Sequence, residues 1–213
     1  MKRRDFSSAL IGAAALGPAA SHAQGGPVEG QNYVRLSQPV PVSAPPGKIE
    51  VIDFFWYGCP HCAAFEPELD MWVRRLPEYV AFSRVPVAFR NEPFTTHQRI
   101  FYALETLGLV DSLHRKVFYA IHAERQPLDK PADIAAYLAK SGVDPAKFLE
   151  AFNSFSTQAK IKRARVLVDG YKIDGVPAIG VHGRFYTSGA MAGGNGRSLG
   201  VADFLVQQLH KTA

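Results

Sequence analysis

Val51-Ile52-Asp53-Phe54-Phe55-Trp56-Tyr57-Gly58 runs without a break into Cys59-Pro60-His61-Cys62, and this stretch decides the interpretation of the chain. Its first part is almost continuously apolar, which is typical of a strand that is buried on both faces. A helix-like stretch, Ala63 to Leu76, follows the second cysteine. The two cysteines are the only ones among 213 residues, and their spacing allows a small disulfide ring or half of a metal site.

A strand followed by a CxxC at the first turn of a helix is an arrangement that makes a thiol reactive. The N-terminus of a helix carries partial positive charge and unpaired N–H groups, and both stabilise a thiolate. We expect Cys59 to cap this helix and Pro60 to occupy its first position, where no N–H is needed. Cys59 is the candidate nucleophile, Cys62 the more buried resolving thiol, and His61 a donor or positive charge beside the Cys59 thiolate.

Two other roles of the cysteine pair stay open at this point. A purely structural clip is one, although a chain of this length buries a core without a disulfide. Metal binding is the other, but a zinc site needs about four ligands and the sequence contains no further cysteine. Cu(I) suits thiolates, and an additional ligand would have to come from a distant residue such as Met191 or His182. We expect no resident metal.

The first 23 residues have the layout of a secretory signal peptide. Met1-Lys2-Arg3-Arg4 is basic, Ala9 to Ala20 is apolar, and Ser21-His22-Ala23 offers small residues for cleavage after Ala23. The paired arginines fit the twin-arginine route and the Sec route equally well. Export places the cysteines in an oxidising compartment. No later run of about 20 apolar residues is present, so we expect no membrane span.

The length and charge that remain after cleavage restrict the class of protein. Removing residues 1–23 from 213 leaves 190, which fits one domain with an insertion. Of 24 basic and 19 acidic residues, 21 and 18 remain, so the net charge is +3. This mildly basic balance, without a Lys/Arg cluster typical of a nucleic-acid face, predicts no nucleic-acid partner.

Strand and helix signals follow one another along the rest of the chain. Lys48 to Phe55 and Val80 to Phe89 predict core strands, and Tyr33 to Val42 predicts a weak edge strand. Residues 94–165 carry only helical signals and are therefore expected to form an insertion between strands. The remaining predicted features are a capping box of Thr95 with Gln98, helix caps at Asp129 and at Asp144-Pro145, a helix from Thr157 to Val168, strands Val176 to Val181 and Arg184 to Thr187 around a His182-Gly183 turn, a Gly-rich loop from Gly189 to Gly200, and a final helix from Val201 to His210.

This order of elements resembles the DsbA family of periplasmic thiol–disulfide oxidoreductases. The resemblance covers essentially the whole chain after residue 23, and its most specific parts are Phe54 to Cys62 and Gly175-Val176-Pro177. It implies an α/β class and a thioredoxin-like fold with an inserted all-helical domain. Residues 24–93 and 166–213 would form the thioredoxin-like domain, and residues 94–165 the insertion.

The resemblance also implies residues that meet the substrate. In thioredoxin-like folds the proline that matches Pro177 is cis and faces the CxxC, and Val176 would offer backbone hydrogen bonds to an extended substrate. Trp56 and Tyr57 would form an apolar rim for unfolded substrates, with core packing as the alternative. In this family the central dipeptide Pro60-His61 distinguishes oxidants from reducing thioredoxins.

Asp53 and three histidines complete the set of polar residues that need an explanation. Asp53 matches a position where the family carries a buried acid, which would have a raised pKa and move protons to or from Cys62. The alternative for Asp53 is an edge position that faces solvent. His97, His114 and His122 lie in the predicted insertion, and we expect them to be satisfied surface or core histidines.

The expected function is that of a periplasmic dithiol oxidase. It would donate the Cys59–Cys62 disulfide to reduced exported proteins and act as a monomer without a cofactor. The resemblance implies reoxidation by a membrane quinone reductase of the DsbB type. Two alternatives remain: a periplasmic disulfide reductase or isomerase, and a copper-binding thioredoxin-like chaperone.

Overall fold

A mixed five-stranded sheet forms the centre of the computed structural model, which describes residues 25–212. The predicted signal peptide, residues 1–23, lies outside the described residues. The strands are β1 Val34–Arg35, β2 Ile49–Phe55, β3 Val80–Pro86, β4 Ala178–Val181 and β5 Phe185–Ser188. Their order in the sheet is β1-β5-β4-β2-β3, with β2 parallel to β3 and antiparallel to β4.

Helices cover the sheet, and five of them follow one another between β3 and β4, as the sequence predicted. Within residues 25–212, no helix has the length and apolar composition needed to cross a membrane. The helices are α1 Pro60–Val73, α2 Phe94–Thr106, α3 Val110–His122, α4 Pro131–Ala139, α5 Pro145–Asn153, α6 Phe155–Tyr171, α7 Gly189–Ala192 and α8 Asn195–Lys211.

Strand β2 lies inside the sheet and carries the cysteine pair at its end. All seven of its residues are buried, because β3 and β4 flank it and helices cover both faces. This burial explains the continuous apolar run, since neither face of the strand meets solvent. The prediction of a buried strand before Cys59 is confirmed.

The predicted edge strand from Tyr33 to Val42 is much shorter in the structure. Only Val34–Arg35 pairs with β5. Further along, the N–H of Val40 still donates to the Gly183 carbonyl at 2.8 Å. Pro39 and Pro41 have no N–H to donate, so the ladder does not continue through them.

The predicted Gly-rich loop from Gly189 to Gly200 is wrong. Its residues form α7 and the beginning of α8, which starts at Asn195 rather than at Val201. Only Gly193 and Gly194 break the helices, with φ of 79° and 150°. Burial of Ser198 and Leu199 in α8 supplies packing that outweighs the low helix propensity of the neighbouring glycines.

Two predicted helix starts also differ from the structure. The N-cap of α2 is Pro93, and the Glu92 carboxylate accepts a hydrogen bond from the N–H of Thr96 at 3.0 Å, so Thr95 with Gln98 is not a capping box. Helix α4 is capped at Lys130 rather than at Asp129, because Pro131 takes its first position.

Other predicted features of the chain hold, apart from the boundary of the insertion at residue 165. Asp144 caps α5 by accepting hydrogen bonds from Ala146 and Lys147 at 2.8 and 3.1 Å. The His182-Gly183 turn closes through a bond from the Arg184 N–H to the Val181 carbonyl at 3.0 Å. Helix α6 continues to Tyr171 and therefore runs past residue 165, the predicted end of the insertion.

Candidate active site

The two cysteines lie where strand β2 leads into helix α1. Cys59 is the N-cap residue of α1, with extended backbone angles of φ −88° and ψ 116°, and Pro60 is at the start of the helix. The Cys59 carbonyl accepts the first helical hydrogen bond, from the N–H of Ala63, at 3.1 Å. The prediction of a capping cysteine followed by a tolerated proline is therefore confirmed.

Both cysteines are free thiols, and they differ in their access to solvent. The exposed fraction of Cys59 is 7% and that of Cys62 is 1%. Pro60 and His61, which separate them, are exposed. A reactant therefore meets Cys59 first and Cys62 stands behind it, as the sequence predicted.

Hydrogen bonding within the pair lowers the pKa of the Cys59 thiol from 9.0 to about 6. The largest cause is the hydrogen bond from the Cys62 side chain, and burial opposes the shift. Backbone hydrogen bonds from Cys62 and His61 and the charge of His61 lower the pKa further. Burial is also the main reason why the pKa of Cys62 is raised. Cys59 therefore ionises while Cys62 keeps its proton and stabilises the thiolate with it.

The Val176-Pro177 loop faces the reactive cysteine. The peptide bond between these residues is cis, as expected. The carbonyl oxygen of Val176 lies 3.5 Å from Sγ of Cys59, although the two residues are 117 positions apart. The loop before β4 is thereby brought into contact with the first turn of α1.

A groove of about 500 Å³ opens beside this contact. His61 lines it together with Val176 and Pro177, and Met191 and Asn195 line it from the C-terminal helices. The side-chain amide of Asn195 donates to the carbonyl oxygen of His61 at 3.5 Å. The groove has room for a short stretch of extended chain next to the reactive thiol.

The two residues considered as additional copper ligands lie in different places. Met191 lines the groove beside His61. His182 accepts a hydrogen bond from the N–H of Glu50 at 3.2 Å, at the opposite end of β2 from the cysteines. In the range 25–212, no group of three or more His, Cys, Asp or Glu residues is arranged to hold a metal ion.

Asp53 is buried in the middle of β2, with an exposed fraction of 1%. The alternative of a solvent-facing edge position is therefore wrong, because β3 and β4 flank this strand. Neither carboxyl oxygen has a hydrogen-bond partner among the described residues. Burial raises the pKa of Asp53, the charge of Glu66 raises it further, and Arg84 opposes the change. Burial thus favours the acid form of Asp53 beneath the cysteine pair, and its carboxylate, when ionised, raises the pKa of Cys62.

Trp56 and Tyr57 have different surroundings. Trp56 is half-buried and stacks on Phe94 of α2 with a centroid distance of 4.0 Å. A Cβ atom on Gly58 would lie 2.3 Å from the Trp56 ring, so the ring needs a glycine at this position. Tyr57 has no exposed surface. The prediction of an apolar rim is wrong for Tyr57, because a side chain enclosed by the core does not meet a substrate.

The chain has relatives among known protein families and proteins. The sequence profile of the DSBA-like thioredoxin domain matches residues 50–205. The chain belongs to this family. The thiol:disulfide interchange protein DsbA of Burkholderia cepacia is 43% identical over 197 residues, which cover 91% of this chain and 92% of that protein. DsbA of Pseudomonas aeruginosa strain PAO1 is 43% identical over 179 residues, which cover 84% of each protein.

Solved structures of DsbA proteins agree with the sequence matches. The crystal structure of Pseudomonas aeruginosa DsbA has a TM-score of 0.82 at 42% identity and covers 86% of this chain and 94% of that chain. The structure of DsbA from Xylella fastidiosa has a TM-score of 0.81 at 31% identity and covers 88% and 99%. The predicted thioredoxin-like fold of the DsbA type is confirmed, and membership makes the chain a thiol:disulfide oxidoreductase.

A buried polar network that the sequence pattern did not predict lies under this DsbA-type site. Oε2 of Glu66, on α1, accepts a hydrogen bond from Arg84 at 3.1 Å, and Arg84 also donates to Asp70 at 2.7 Å. Oε1 of Glu66 lies 3.1 Å from Nε2 of His114. Burial acts to raise the pKa of Glu66, but His114 and Arg84 hold it below its ordinary value. The sequence does contain a signal for this network, because Glu66 and Arg84 occupy positions that the helix and strand patterns assign to the interior.

Proposed function

We propose that this chain donates its Cys59–Cys62 disulfide to reduced proteins exported to the periplasm. The observation that carries the proposal is the position of Cys59 at the N-terminus of α1, in front of the more deeply buried Cys62 and against the Val176 carbonyl. This arrangement lowers the pKa of Cys59 to about 6, while burial raises that of Cys62. A thiolate that is stabilised in this way favours the reduced form of the pair. A disulfide whose reduced form is stabilised is a strong oxidant, because it transfers its bond readily to other thiols.

The reaction begins at the sulfur that faces solvent. A substrate thiolate attacks Sγ of Cys59, the Cys59–Cys62 bond breaks, and its electron pair leaves on Cys62. A second thiolate of the substrate then attacks the first substrate sulfur, which is bonded to Cys59 in the mixed disulfide, and expels Cys59 as a thiolate. The two substrate cysteines are oxidised to a disulfide, and the enzyme pair takes up both electrons.

Proton transfer accompanies the departure of Cys62. Because burial raises the pKa of Cys62, the leaving sulfur takes up a proton rather than remaining a thiolate. We assign the proton donor to Asp53, because burial favours its acid form while the disulfide is intact and its carboxyl oxygens have no hydrogen-bond partner among the described residues. Asp53 recovers the proton when the enzyme is reoxidised.

The groove beside Cys59 would bind the substrate chain. The Val176 backbone supplies hydrogen-bonding groups next to the cis Pro177, and the half-buried Trp56 offers an aromatic surface nearby. His61 is exposed and lines the groove, and the neighbouring Pro60 is also exposed, so both would meet the substrate. Membership of the DsbA family and the signal-like layout of residues 1–23 support the periplasm as the site of action.

Turnover requires an electron acceptor for the reduced pair. We propose reoxidation by a membrane quinone reductase of the DsbB type, because a relationship to DsbA proteins makes this type of partner the natural acceptor. The chain would act as a monomer, with residues 94–165 as the inserted domain. No organic cofactor is needed, since both electrons are held by the cysteine pair.

The test is the equilibrium of the mature protein with a glutathione redox buffer. We expect a reduction potential well above that of the glutathione couple, while a value below it would identify a reductase instead. Cys59→Ser should abolish disulfide transfer, and Cys62→Ser should accumulate mixed disulfides with substrates. Transfer that survives in Cys59→Ser would refute the mechanism. Copper that copurifies with the protein in stoichiometric amount would favour the chaperone alternative.

A further inference from the structure

Two histidines of the helical insertion hold one tyrosine just before the cysteine pair. His122 donates from Nε2 to the backbone carbonyl of Tyr57 at 2.8 Å. Nδ1 of His114 lies 2.8 Å from the hydroxyl oxygen of Tyr57. Both histidines belong to α3, so one helix holds the backbone and the side chain of the same residue. Tyr57 itself is completely enclosed.

The partners of His114 determine the direction of its hydrogen bonds. His114 is 3% exposed, and burial lowers its pKa, so its ring is neutral and carries one N–H. An ionised Glu66 carboxylate only accepts, which places that hydrogen on Nε2. Nδ1 then accepts from the Tyr57 hydroxyl. The chain Tyr57–His114–Glu66 is therefore fully satisfied and runs from the segment before Cys59 to helix α1 behind Cys62.

The segment held by these histidines touches both cysteines. The carbonyl of Trp56 accepts a hydrogen bond from the N–H of Cys59 at 2.9 Å. The backbone of Trp56 also acts on the Cys62 thiol, whose pKa it lowers against the larger effect of burial. A displacement of Tyr57 moves the adjoining Trp56 backbone, and with it the hydrogen bonds that set the geometry between the two sulfurs.

We propose that His114 and His122, both on α3, are positioning residues for the thiol chemistry. They hold the Trp56-Tyr57 segment in place against the cysteine pair. The proposal rests on the proposed function, since it concerns the same redox pair. It gives the helical insertion a defined role at the site: its histidines set the separation of the two sulfurs. We call the two hydrogen bonds that join His114 and His122 to Tyr57 the clamp. Loss of the clamp weakens the Cys62 hydrogen bond to the Cys59 thiolate and makes the disulfide less oxidising.

The test compares two substitutions of His122 that differ in one hydrogen bond. His122→Gln keeps an N–H donor at the position of Nε2, whereas His122→Leu removes it. A control variant, His210→Leu, removes a histidine on α8 that stacks on Tyr79 at 3.8 Å, away from the cysteines. For each purified protein, the equilibrium constant with glutathione and the pH titration of the Cys59 thiolate absorbance are measured, with circular dichroism as the check of folding.

We expect His122→Leu to shift the glutathione equilibrium about fivefold toward retained disulfide, equivalent to one net hydrogen bond of about 1 kcal/mol. The pKa of Cys59 should rise in the same variant. His122→Gln and His210→Leu should stay within about twofold of the parent protein, since each keeps the clamp. An unchanged constant in a folded His122→Leu protein, or an equal shift in His122→Gln, would overturn the proposal.

A variant that keeps the ring of Tyr57 covers the case in which His122→Leu does not fold. Tyr57→Phe removes only the hydroxyl that donates to His114. A shift of about twofold or more in the glutathione constant then supports the clamp, and an unchanged constant contradicts it. The outcome is independent of the parent's own potential, because only differences between variants are compared. A parent that proves to be a reductase would refute the proposed function and leave this comparison intact.

Discussion

The stability of the reduced protein should depend on pH through the single thiol of Cys59. Its pKa in the folded protein is about 6, below the ordinary value of 9.0. A lowered pKa means that the thiolate favours the folded state, so the contribution is complete above the unfolded pKa. It disappears as the pH falls through the folded pKa.

The size of this effect follows from the two pKa values. Linkage gives about 1 to 2 kcal/mol at pH 7 and about 2 to 3 kcal/mol at pH 8, while almost nothing remains at pH 5. These values are ceilings, because part of the Cys59 environment is solvent, which weakens electrostatic interactions. Expressed as a redox potential, a roughly tenfold stabilisation of the reduced form at pH 7 corresponds to about 30 mV toward a more oxidising disulfide.

The assay is urea unfolding of the reduced protein at pH values from about 5 to about 8, compared with the Cys59→Ala variant in the same reduced state. The variant keeps Cys62, Asp53 and every other titrating group, so the difference between the two curves isolates the Cys59 thiol. We expect the parent protein to gain up to about 2.5 kcal/mol over the variant across this range. A difference below about 0.5 kcal/mol that does not change with pH would refute the assignment of a stabilised thiolate.

Two further predictions concern residues around the pair. Gly58→Ala should destabilise the protein by about 1–3 kcal/mol, because its Cβ would lie 2.3 Å from the Trp56 ring; thermal unfolding measures this. Gly200→Ala, on an open side of α8, is the matched control and should be neutral or slightly stabilising. Asp53→Asn should slow substrate oxidation at neutral pH, since the leaving Cys62 loses its proton donor, and stopped-flow fluorescence should show the slower step. An unchanged rate in Asp53→Asn would remove Asp53 from the reaction.

Much of the fold around the cysteines could be predicted from local sequence. The continuous apolar run before Cys59 indicates a strand covered on both faces, and β2 is such a strand. Pro60 is favoured at the first position of a helix, where no N–H is needed, and this places the cap at Cys59. These inferences succeed because they depend on the backbone chemistry of neighbouring residues.

The predictions that failed depend on contacts between distant residues. The glycines after residue 189 suggest a loop, but buried side chains of α8 keep most of that stretch helical. The sequence leaves both an apolar rim and core packing open for Tyr57, and the structure shows core packing, because α3 supplies hydrogen-bond partners for its hydroxyl and its carbonyl. No local sequence pattern indicates a role for His114 and His122, because their partner Tyr57 is more than 50 positions earlier in the chain.

The same limit explains why the main cause of the lowered Cys59 pKa was not anticipated. The sequence places positive charge beside Cys59, through His61 and the end of a helix, but the largest contribution is the hydrogen bond from Cys62. That bond exists because Cys62 is buried, and burial keeps the proton on Cys62 where it is available to the thiolate. Exposure of Cys62 would therefore raise the pKa of Cys59 even if every charge around Cys59 were kept. The oxidising power of the disulfide depends on the difference in burial between two identical side chains, and the packing of β2 and α1 creates that difference.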